Sequence, residues 1–314
     1  MVKAEANVKK NGKRTIVAAV AVILVMACAL FTLSACDESS TLGTKDERSD
    51  PAYVEFGMFP QTVKADDVTV DESSADANGW YLGSDGARYA KVTAAPHGMC
   101  AFSTGAAVES GKTYYFKVEP IRWQVLSDAD GTMFLLADRV LANMAYDADC
   151  ADYAESDIRA WLNDDFLTAA FNAEESAAIL VTEVDNSAAS TGFADNDNAC
   201  ENTNDKIFLP SRTEMISTAY NFLKDDGPDR FREREVSDYA KATGAYAHPE
   251  KSADGAQNYY GNGWWWLRSP IDWSDDVACA VHVNGIVRYG SADYVSLAYI
   301  GVVPALKVPS SALA

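Results

Sequence analysis

The chain has 314 residues, of which 48% are hydrophobic and 23% are charged, a composition typical of a globular protein. Its formal net charge of −20 excludes nucleic acid as a natural partner, because the phosphates would be repelled, and it disfavours adsorption to anionic lipid. The charge indicates a solvated acidic surface, with a surface that attracts cations as the alternative.

The first 36 residues have the pattern of an export signal. Four basic residues lie in 9–14, residues 15–32 are almost continuously apolar, and Leu33-Ser34-Ala35-Cys36 follows. This order is typical of a secretory signal, and its end resembles the lipobox of bacterial lipoproteins, in which the cysteine is lipidated. We therefore expect a signal peptide over 1–35 and palmitate on Cys36. Cys28 is a weaker candidate, and a plain transmembrane anchor is the other interpretation.

A lipid on Cys36 would hold the protein on the extracytoplasmic face of the cell membrane, with the folded part outside the cell. Residues 36–51 are polar and predict a flexible tether. A short strand is expected at 53–56, and an irregular, hairpin-rich region at 62–110. Residues 114–126 and 133–137 are rich in aromatic and β-branched residues and flank a turn, which predicts an antiparallel hairpin.

The middle of the chain predicts helices. Apolar residues recur at three- and four-residue steps from 156 to 171, with Ser156 as the N-cap. Asn172 starts a short second helix, and Ser211-Arg212-Thr213-Glu214 is a capping box that predicts a helix to about residue 223. A further helix is expected at 233–243.

The last quarter predicts strands at 264–268, 277–283, 286–289 and 302–308, with Asn284-Gly285 as a hairpin turn. The order of strands, helices and strands predicts an α+β fold with a mixed, mostly antiparallel sheet, few helices and long irregular loops. We expect one domain over 52–309.

Three consecutive tryptophans mark the predicted strand at 264–268. A strand places Trp264, Trp266 and Arg268 on one face and Trp265 and Leu267 on the other. Large side chains on both faces predict a central, buried strand, in which Arg268 needs a carboxylate partner. Glu119 and Glu214 are the candidates for that partner. The residues assigned structural roles are Trp265, Trp266, Arg268, Trp161 and Trp123.

Several segments together resemble a family of domains of unknown function found in bacterial extracellular proteins and lipoproteins. They are Phe56-Gly57-Met58-Phe59-Pro60-Gln61, Phe116-Lys117-Val118-Glu119-Pro120-Ile121-Arg122-Trp123, Ile158-Arg159-Ala160-Trp161-Leu162-Asn163, Asp205-Lys206-Ile207-Phe208-Leu209, Trp265-Trp266-Leu267-Arg268-Ser269-Pro270 and Val303-Pro304-Ala305-Leu306. Val303 replaces the family's usual arginine. The family is more distantly similar to C-type-lectin-like domains and to the formylglycine-generating-enzyme fold, which implies a terminal sheet supporting long loops. The lectin calcium motifs and the enzyme's paired cysteines are absent from the sequence.

Four cysteines follow the export signal: Cys100, Cys150, Cys200 and Cys279. An oxidising compartment allows disulfides, and four cysteines permit three pairings. Cys150 and Cys200 both lie in polar loops and are the favoured pair, whereas Cys279 alternates with valines and is expected in the core. None has the spacing of a metal site, and we expect neither a metal nor a cofactor.

No catalytic constellation can be identified. The three histidines are isolated in the sequence, no nucleophile has an evident base, and none of the 46 acidic residues is singled out as a pair. Aromatic rings beside carboxylates suit sugars or peptides, because the ring stacks on an apolar face while the acid accepts hydrogen bonds. Such residues occur in the loop after the tryptophan strand and after the hairpin that follows it, and the candidates for ligand binding are Asp272, Trp273, Asp275, Asp276, Tyr289 and Tyr294.

Three functions follow from these patterns. The first is a non-catalytic module that binds a glycan, a peptide or a surface partner. The second is an enzyme that acts on a polymer of the cell envelope or the host through acidic residues. The third is a structural or scaffolding domain. We expect the membrane, through the lipid, and a glycan or peptide as partners, and no nucleic acid.

Overall fold

The structure, a computed structural model, describes residues 48–251, 258–287 and 292–313. The contacts divide the chain into Met1–Arg48 and Ser49–Ala314, and the description below concerns the second unit. The predicted signal peptide, Cys36 and most of the predicted tether lie outside the described residues. No helix within the described ranges is long and apolar enough to cross a membrane.

The described chain is dominated by strands, which belong mostly to two sheets. The strands are, in chain order, β1 (Tyr53–Val63), β2 (Val70–Asp71), β3 (Tyr81–Gly83), β4 (Arg88–Thr93), β5 (Thr113–Ala129), β6 (Thr132–Ala137), β7 (Arg139–Val140), β8 (Ala142–Asn143), β9 (Thr182–Val184), β10 (Thr203–Asp205), β11 (Ile207–Phe208), β12 (Glu235–Val236), β13 (Trp265–Pro270), β14 (Val277–Val281), β15 (Ala292–Tyr294), β16 (Gly301–Val302) and β17 (Ala305–Pro309).

The larger sheet is built around β5, whose 17 residues are long enough to pair with three strands. It pairs with β4 near its start, with β1 along its middle and with β6 near its end, always antiparallel. The order of the sheet is β11-β17-β6-β5-β4-β3-β2, with β1 joined to β5. The predicted hairpin is confirmed, since β5 and β6 are connected by the two-residue turn Asp130-Gly131, in which both residues have positive φ.

The second sheet has the order β15-β14-β13-β16-β8, so the tryptophan strand β13 lies at its centre. All six residues of β13 are buried, and it pairs antiparallel with β14 and parallel with β16. The prediction of a central strand buried on both faces is therefore confirmed. A short parallel pair, β7 with β12, lies outside both sheets.

The helices are short and lie mainly between residues 150 and 245. The α-helices are Asp157–Trp161, Leu167–Ala170, Ala173–Ala178, Ala188–Thr191, Arg212–Met215 and Asp238–Thr243, with a π-helical turn at Leu162–Phe166 and 3₁₀ turns at Tyr153–Glu155, Thr218–Tyr220 and Ser310–Ala312. The predicted helix at 156–171 is present as an α, π and α succession capped by Ser156. The capping boxes at Asn172 and Ser211 are also present.

Two predicted helices are much shorter than expected. The helix that begins after Ser211 ends at Met215, and Asn221 is in the left-handed conformation, which a continuing helix would not permit. The helix expected at 233–243 begins only at Asp238, because the preceding residues form β12. Together these elements give a mixed fold of α and β structure with mostly antiparallel sheets and few helices, as predicted.

The expected hairpin partner of β14 is also different. The turn at Asn284-Gly285 exists, since the backbone N–H of Gly285 donates to the carbonyl of His282. However, β14 pairs with β15, and Cys279 lies opposite Ala292 rather than opposite the predicted strand at 286–289. The final predicted strand is likewise divided into β16 and β17 by Val303-Pro304.

The tryptophans and Arg268 fix β13 to its surroundings. The indole N–H groups of Trp265 and Trp266 donate to the backbone carbonyls of Arg232 and Met144 at 3.2 and 3.1 Å. Arg268 is 3% exposed, and its Nη1 atom lies 2.6 Å from Oε2 of Glu214. Glu214 is thus the carboxylate partner, and Glu119, on β5, does not contact Arg268.

The two remaining tryptophans differ in burial. Trp123 is fully buried, and its indole N–H donates to the carbonyl of Phe56 at 2.7 Å, which joins β5 to β1. Trp161 is only partly buried and packs against Phe166, with ring centroids 5.3 Å apart. Both therefore have the structural roles that the sequence predicts.

Candidate functional site

The loop between β13 and β14 exposes the predicted aromatic candidates. Trp273 is 58% exposed, and Asp272 and Asp275 are also exposed. Tyr294, on β15, is 60% exposed and is the register partner of Val277, the residue that ends the loop. The structure therefore brings Trp273, Tyr294 and the aspartates to one end of the second sheet, which we call the Trp273 face (Asp272, Trp273, Asp275, Asp276 and Tyr294).

Hydrogen bonds from two neighbouring loops hold this loop in place. The side-chain amide of Asn198 donates to the carbonyls of Ile271 and Ser274 at 2.8 and 3.0 Å, and that of Asn196 donates to Pro270 at 3.0 Å. The N–H of Ala151 donates to the carbonyl of Asp275 at 2.6 Å. The Asp/Asn-rich segment at 195–198 thus fixes the conformation of the loop.

Carboxylates lie on and beside the Trp273 face. The Asp276 carboxylate accepts a hydrogen bond from the Ser274 hydroxyl. Asp147, Asp149 and Cys150, which precede the residue that bonds Asp275, place one ligand-type atom each within 4.8 Å of one another. Exposed acidic groups of this kind are common without a metal, so this cluster does not define a metal centre.

One predicted site residue is not among the described residues, and the predicted disulfide is absent. Tyr289 lies outside the described residues. The expected Cys150–Cys200 disulfide is not formed, since both are free thiols, as are Cys100 and Cys279. Cys200 instead interacts with the Asp152 side chain, and burial raises the pKa of the Cys200 thiol to about 11. Burial likewise raises the pKa of Cys279 to about 12, consistent with its predicted position in the core.

The three histidines are isolated in the sequence, and each lies beside an aromatic side chain in the structure. His282 stacks on Trp264 with ring centroids 4.6 Å apart, and His97 stacks on Tyr299 at 4.2 Å. His248 lies 3.4 Å from the Tyr246 hydroxyl. Burial lowers the pKa of His282, as expected for a packed imidazole. His282 and His97 therefore contribute to the packing of aromatic rings.

A polar pocket that the sequence does not predict lies where the start of β1, the inner part of β5 and the end of β6 meet β7 and β12. Its volume is about 370 Å³. Tyr53 on β1 and Gln124 on β5 are register partners, and Arg139 on β7 pairs with Glu235 on β12, which brings four distant segments to one cavity. The remaining lining residues are Arg122, Asp138, Arg230, Phe231, Glu233, Arg234 and Asn262.

Arg234 and Gln124 form the buried wall of this pocket. Arg234 is 2% exposed and Gln124 is 1% exposed. The Nη2 atom of Arg234 donates to Oε1 of Gln124 at 2.7 Å, while Nε donates to the carbonyl of Ala137 at 2.8 Å. Arginine has donors only, so the amide oxygen of Gln124 must face it. The Nε2 group of Gln124 is left buried without a hydrogen-bond partner.

Glu233, which lines the pocket, has a pKa near neutral pH. Burial raises its pKa to about 7, and this is only partly opposed by a hydrogen bond from the Asn262 side chain at 3.2 Å. Asp293, whose pKa is also raised by burial, lies on β15 and does not line the pocket. These two carboxyl groups therefore do not form the convergent pair that an acid–base mechanism would need.

The described architecture is that of a mixed α and β domain with mostly antiparallel sheets, an exposed aromatic loop and a polar pocket. Comparison with protein families matches residues 130–310 to the domain of unknown function DUF6273. The chain belongs to this family, and the prediction that it carries a domain of unknown function is confirmed. No curated protein and no solved structure matches the chain.

Proposed function

We propose that the domain is a non-catalytic binding module for glycans, and that it binds them on the Trp273 face. The observation that supports this proposal is an indole that is 58% exposed, on a loop whose backbone carbonyls accept hydrogen bonds from the side chains of Asn196 and Asn198. An indole fixed in advance can stack on a sugar ring without the entropic cost of ordering the loop. The carboxylates of Asp275 and Asp276 are placed to accept hydrogen bonds from sugar hydroxyls.

A glycan array compares the full-length chain with Trp273→Ala and Asp275→Ala variants. Truncation of a central tryptophan costs about 2 kcal/mol, so we expect binding about 30-fold weaker for Trp273→Ala. Met99→Ala is the matched control, because Met99 is 89% exposed and lies in a distant loop. Unchanged binding in the Trp273→Ala, Asp275→Ala double variant would show that the face is wrongly chosen. Retention of peptides alone would replace glycans by peptides as the ligand.

The same proposal includes the location of the protein. A lipid on Cys36 and a polar tether would hold the domain on the extracytoplasmic face of the membrane. In a palmitate-labelling experiment, Cys36→Ala should abolish incorporation and Cys28→Ala should leave it unchanged. Incorporation that persists in Cys36→Ala would place the lipid elsewhere.

The similarity to C-type-lectin-like domains is also part of this proposal. Its support is a sheet with a tryptophan-rich central strand, beside which long loops carry the exposed aromatic residues. Such a fold does not determine the ligand, and the enzyme interpretation remains the alternative function. Hydrolysis of an envelope polymer by the purified protein, lost in Glu233→Gln, would favour that alternative.

A further inference from the structure

Four arginines line the polar pocket, and three of them form ion pairs. The Arg122 guanidinium lies 3.0 Å from the carboxylate of Asp138, and Arg139 lies 3.6 Å from that of Glu235. Arg230 is 2.9 Å from the carboxylate of Asp50. Among the described residues, no carboxylate lies within ion-pair distance of Arg234, the most buried of the four arginines that line the cavity.

The guanidinium of Arg234 instead donates hydrogen bonds to neutral oxygen atoms. Nε donates to Ala137, Nη1 donates to the carbonyls of Phe231 and Glu233, and Nη2 donates to Gln124, which accounts for four of its five N–H groups. One Nη2 N–H therefore remains beside the Nε2 group of Gln124, which also has no partner. A buried charge without a carboxylate at ion-pair distance is unfavourable, and an anion entering the cavity would relieve this.

We propose that this pocket is a binding site for a small carboxylate ligand, whose carboxylate pairs with the guanidinium of Arg234. A planar guanidinium matches a carboxylate in geometry and in charge. A volume of about 370 Å³ accommodates a compound of the size of a sugar acid or an amino acid. The site is separate from the Trp273 face, so its existence does not depend on the function proposed above.

The remaining charges of the pocket select the class of anion. Asp138, Glu233 and Glu235 line the same cavity and would repel a doubly charged phosphate more strongly than a carboxylate. Of the four arginines that line the cavity, Arg234 is the one without an ion pair among the described residues, so a single negative charge balances it when Glu233 is neutral. The pocket therefore favours a monoanion over a dianion.

Glu233 makes binding depend on pH. Asp229, Arg234, the amide of Asn262 and the ring of Tyr259 are the groups that interact with it. Because its pKa is about 7, Glu233 becomes neutral as the pH falls through this value and ceases to repel an incoming carboxylate. The affinity for the carboxylate should then increase about tenfold from pH 8 to pH 6, which is the largest change expected when one repelling charge is neutralised.

The test uses acetate as the smallest carboxylate probe and acetamide as its neutral counterpart. NMR spectra of the full-length chain follow the Nε–H signal of Arg234 and the side-chain amide signal of Gln124 during titration. An ion of four heavy atoms is expected to saturate these shifts with a Kd of about 1–10 mM. Acetamide should cause no saturable shift. Equal shifts with acetamide, no saturation with acetate, or tighter binding of inorganic phosphate would overturn the proposal.

Two variants locate the site. Arg234→Gln should abolish acetate binding, whereas Arg122→Gln, which removes a rim arginine already paired with Asp138, should weaken it less than threefold, a loss of about 0.6 kcal/mol. Glu233→Gln covers the case in which the Arg234 variant fails to fold. It should bind acetate at pH 8 as tightly as the unmodified chain does at pH 6. Loss of binding in Glu233→Gln, or an unchanged pH dependence, would overturn the proposal.

Discussion

Replacement of Glu214 by glutamine tests whether the tryptophan strand depends on its buried charge. Glu214 has two roles: its carboxylate accepts the N–H of Ser211 at 2.7 Å, which caps a helix, and it lies 2.6 Å from Nη1 of Arg268. Both donors contact the same oxygen, Oε2, so the amide oxygen of glutamine can accept both hydrogen bonds. Glutamine cannot supply the negative charge that compensates Arg268.

The expected loss of stability follows from the burial of the pair. Removing one partner of a fully buried ion pair costs about 3–5 kcal/mol. The Glu214 side chain is 23% exposed, and Arg268 retains the carbonyl of Leu209 at 2.8 Å and that of Asp185 at 3.2 Å. Solvent screening and these remaining acceptors reduce the expected loss in the free energy of unfolding to about 2–3 kcal/mol.

Urea unfolding followed by tryptophan fluorescence measures this loss. Glu175→Gln is the matched control, because Glu175 completes the same kind of capping box at Asn172 and forms no ion pair in the described structure. It should cost less than about 0.5 kcal/mol. If Glu175→Gln and Glu214→Gln destabilise the protein equally, the effect comes from capping, and the importance given to the charge on Arg268 is wrong.

Gly285→Ala should cost about 3 kcal/mol or more, because φ is +74° and a Cβ atom would lie 2.0 Å from a backbone carbonyl oxygen. Gly131→Ala, at φ +75° in open space, should cost only about 1–2 kcal/mol, and equal losses in urea unfolding would contradict the close packing at Gly285. Trp123→Phe should lose about 2–3 kcal/mol, since it leaves a cavity and an unpaired buried carbonyl; a thermal midpoint unchanged from the parent would refute this. Because the folded-state pKa of Glu233, about 7, exceeds its ordinary value, the stability of the parent should fall as pH rises through 5 to 7, whereas Glu233→Gln should lack this decline. Parallel pH profiles from thermal unfolding would show that Glu233 is not buried as described.

The elements that could be predicted are those specified by neighbouring residues. The β5–β6 hairpin, the caps at Ser156, Asn172 and Ser211, and the burial of both faces of β13 are local patterns, and the structure contains them. The need for a carboxylate beside the buried Arg268 could be predicted, and Glu119 and Glu214 were the two candidates for it. Which of them contacts it depends on how a distant helix packs, and no local signal encodes that.

The pocket shows why the rest could not be predicted. Tyr53, Gln124 and Arg234 are far apart in the sequence and meet only through strand pairing. The helix predicted at 233–243 is also wrong around Arg234, which lies directly before β12 and is buried. The Asn284-Gly285 pair predicts the turn. It does not predict that the backbone of Asp229 approaches Gly285 so closely that a Cβ atom would not fit.

The matched family region begins at residue 130, directly after β5, so it contains only part of the lining of the pocket. Arg234, Glu233 and Asn262 lie inside that region, while Tyr53, Arg122 and Gln124 precede it. Since Oε1 of Gln124 accepts a hydrogen bond from Arg234, the buried charge inside the matched region is held in position by a residue outside it.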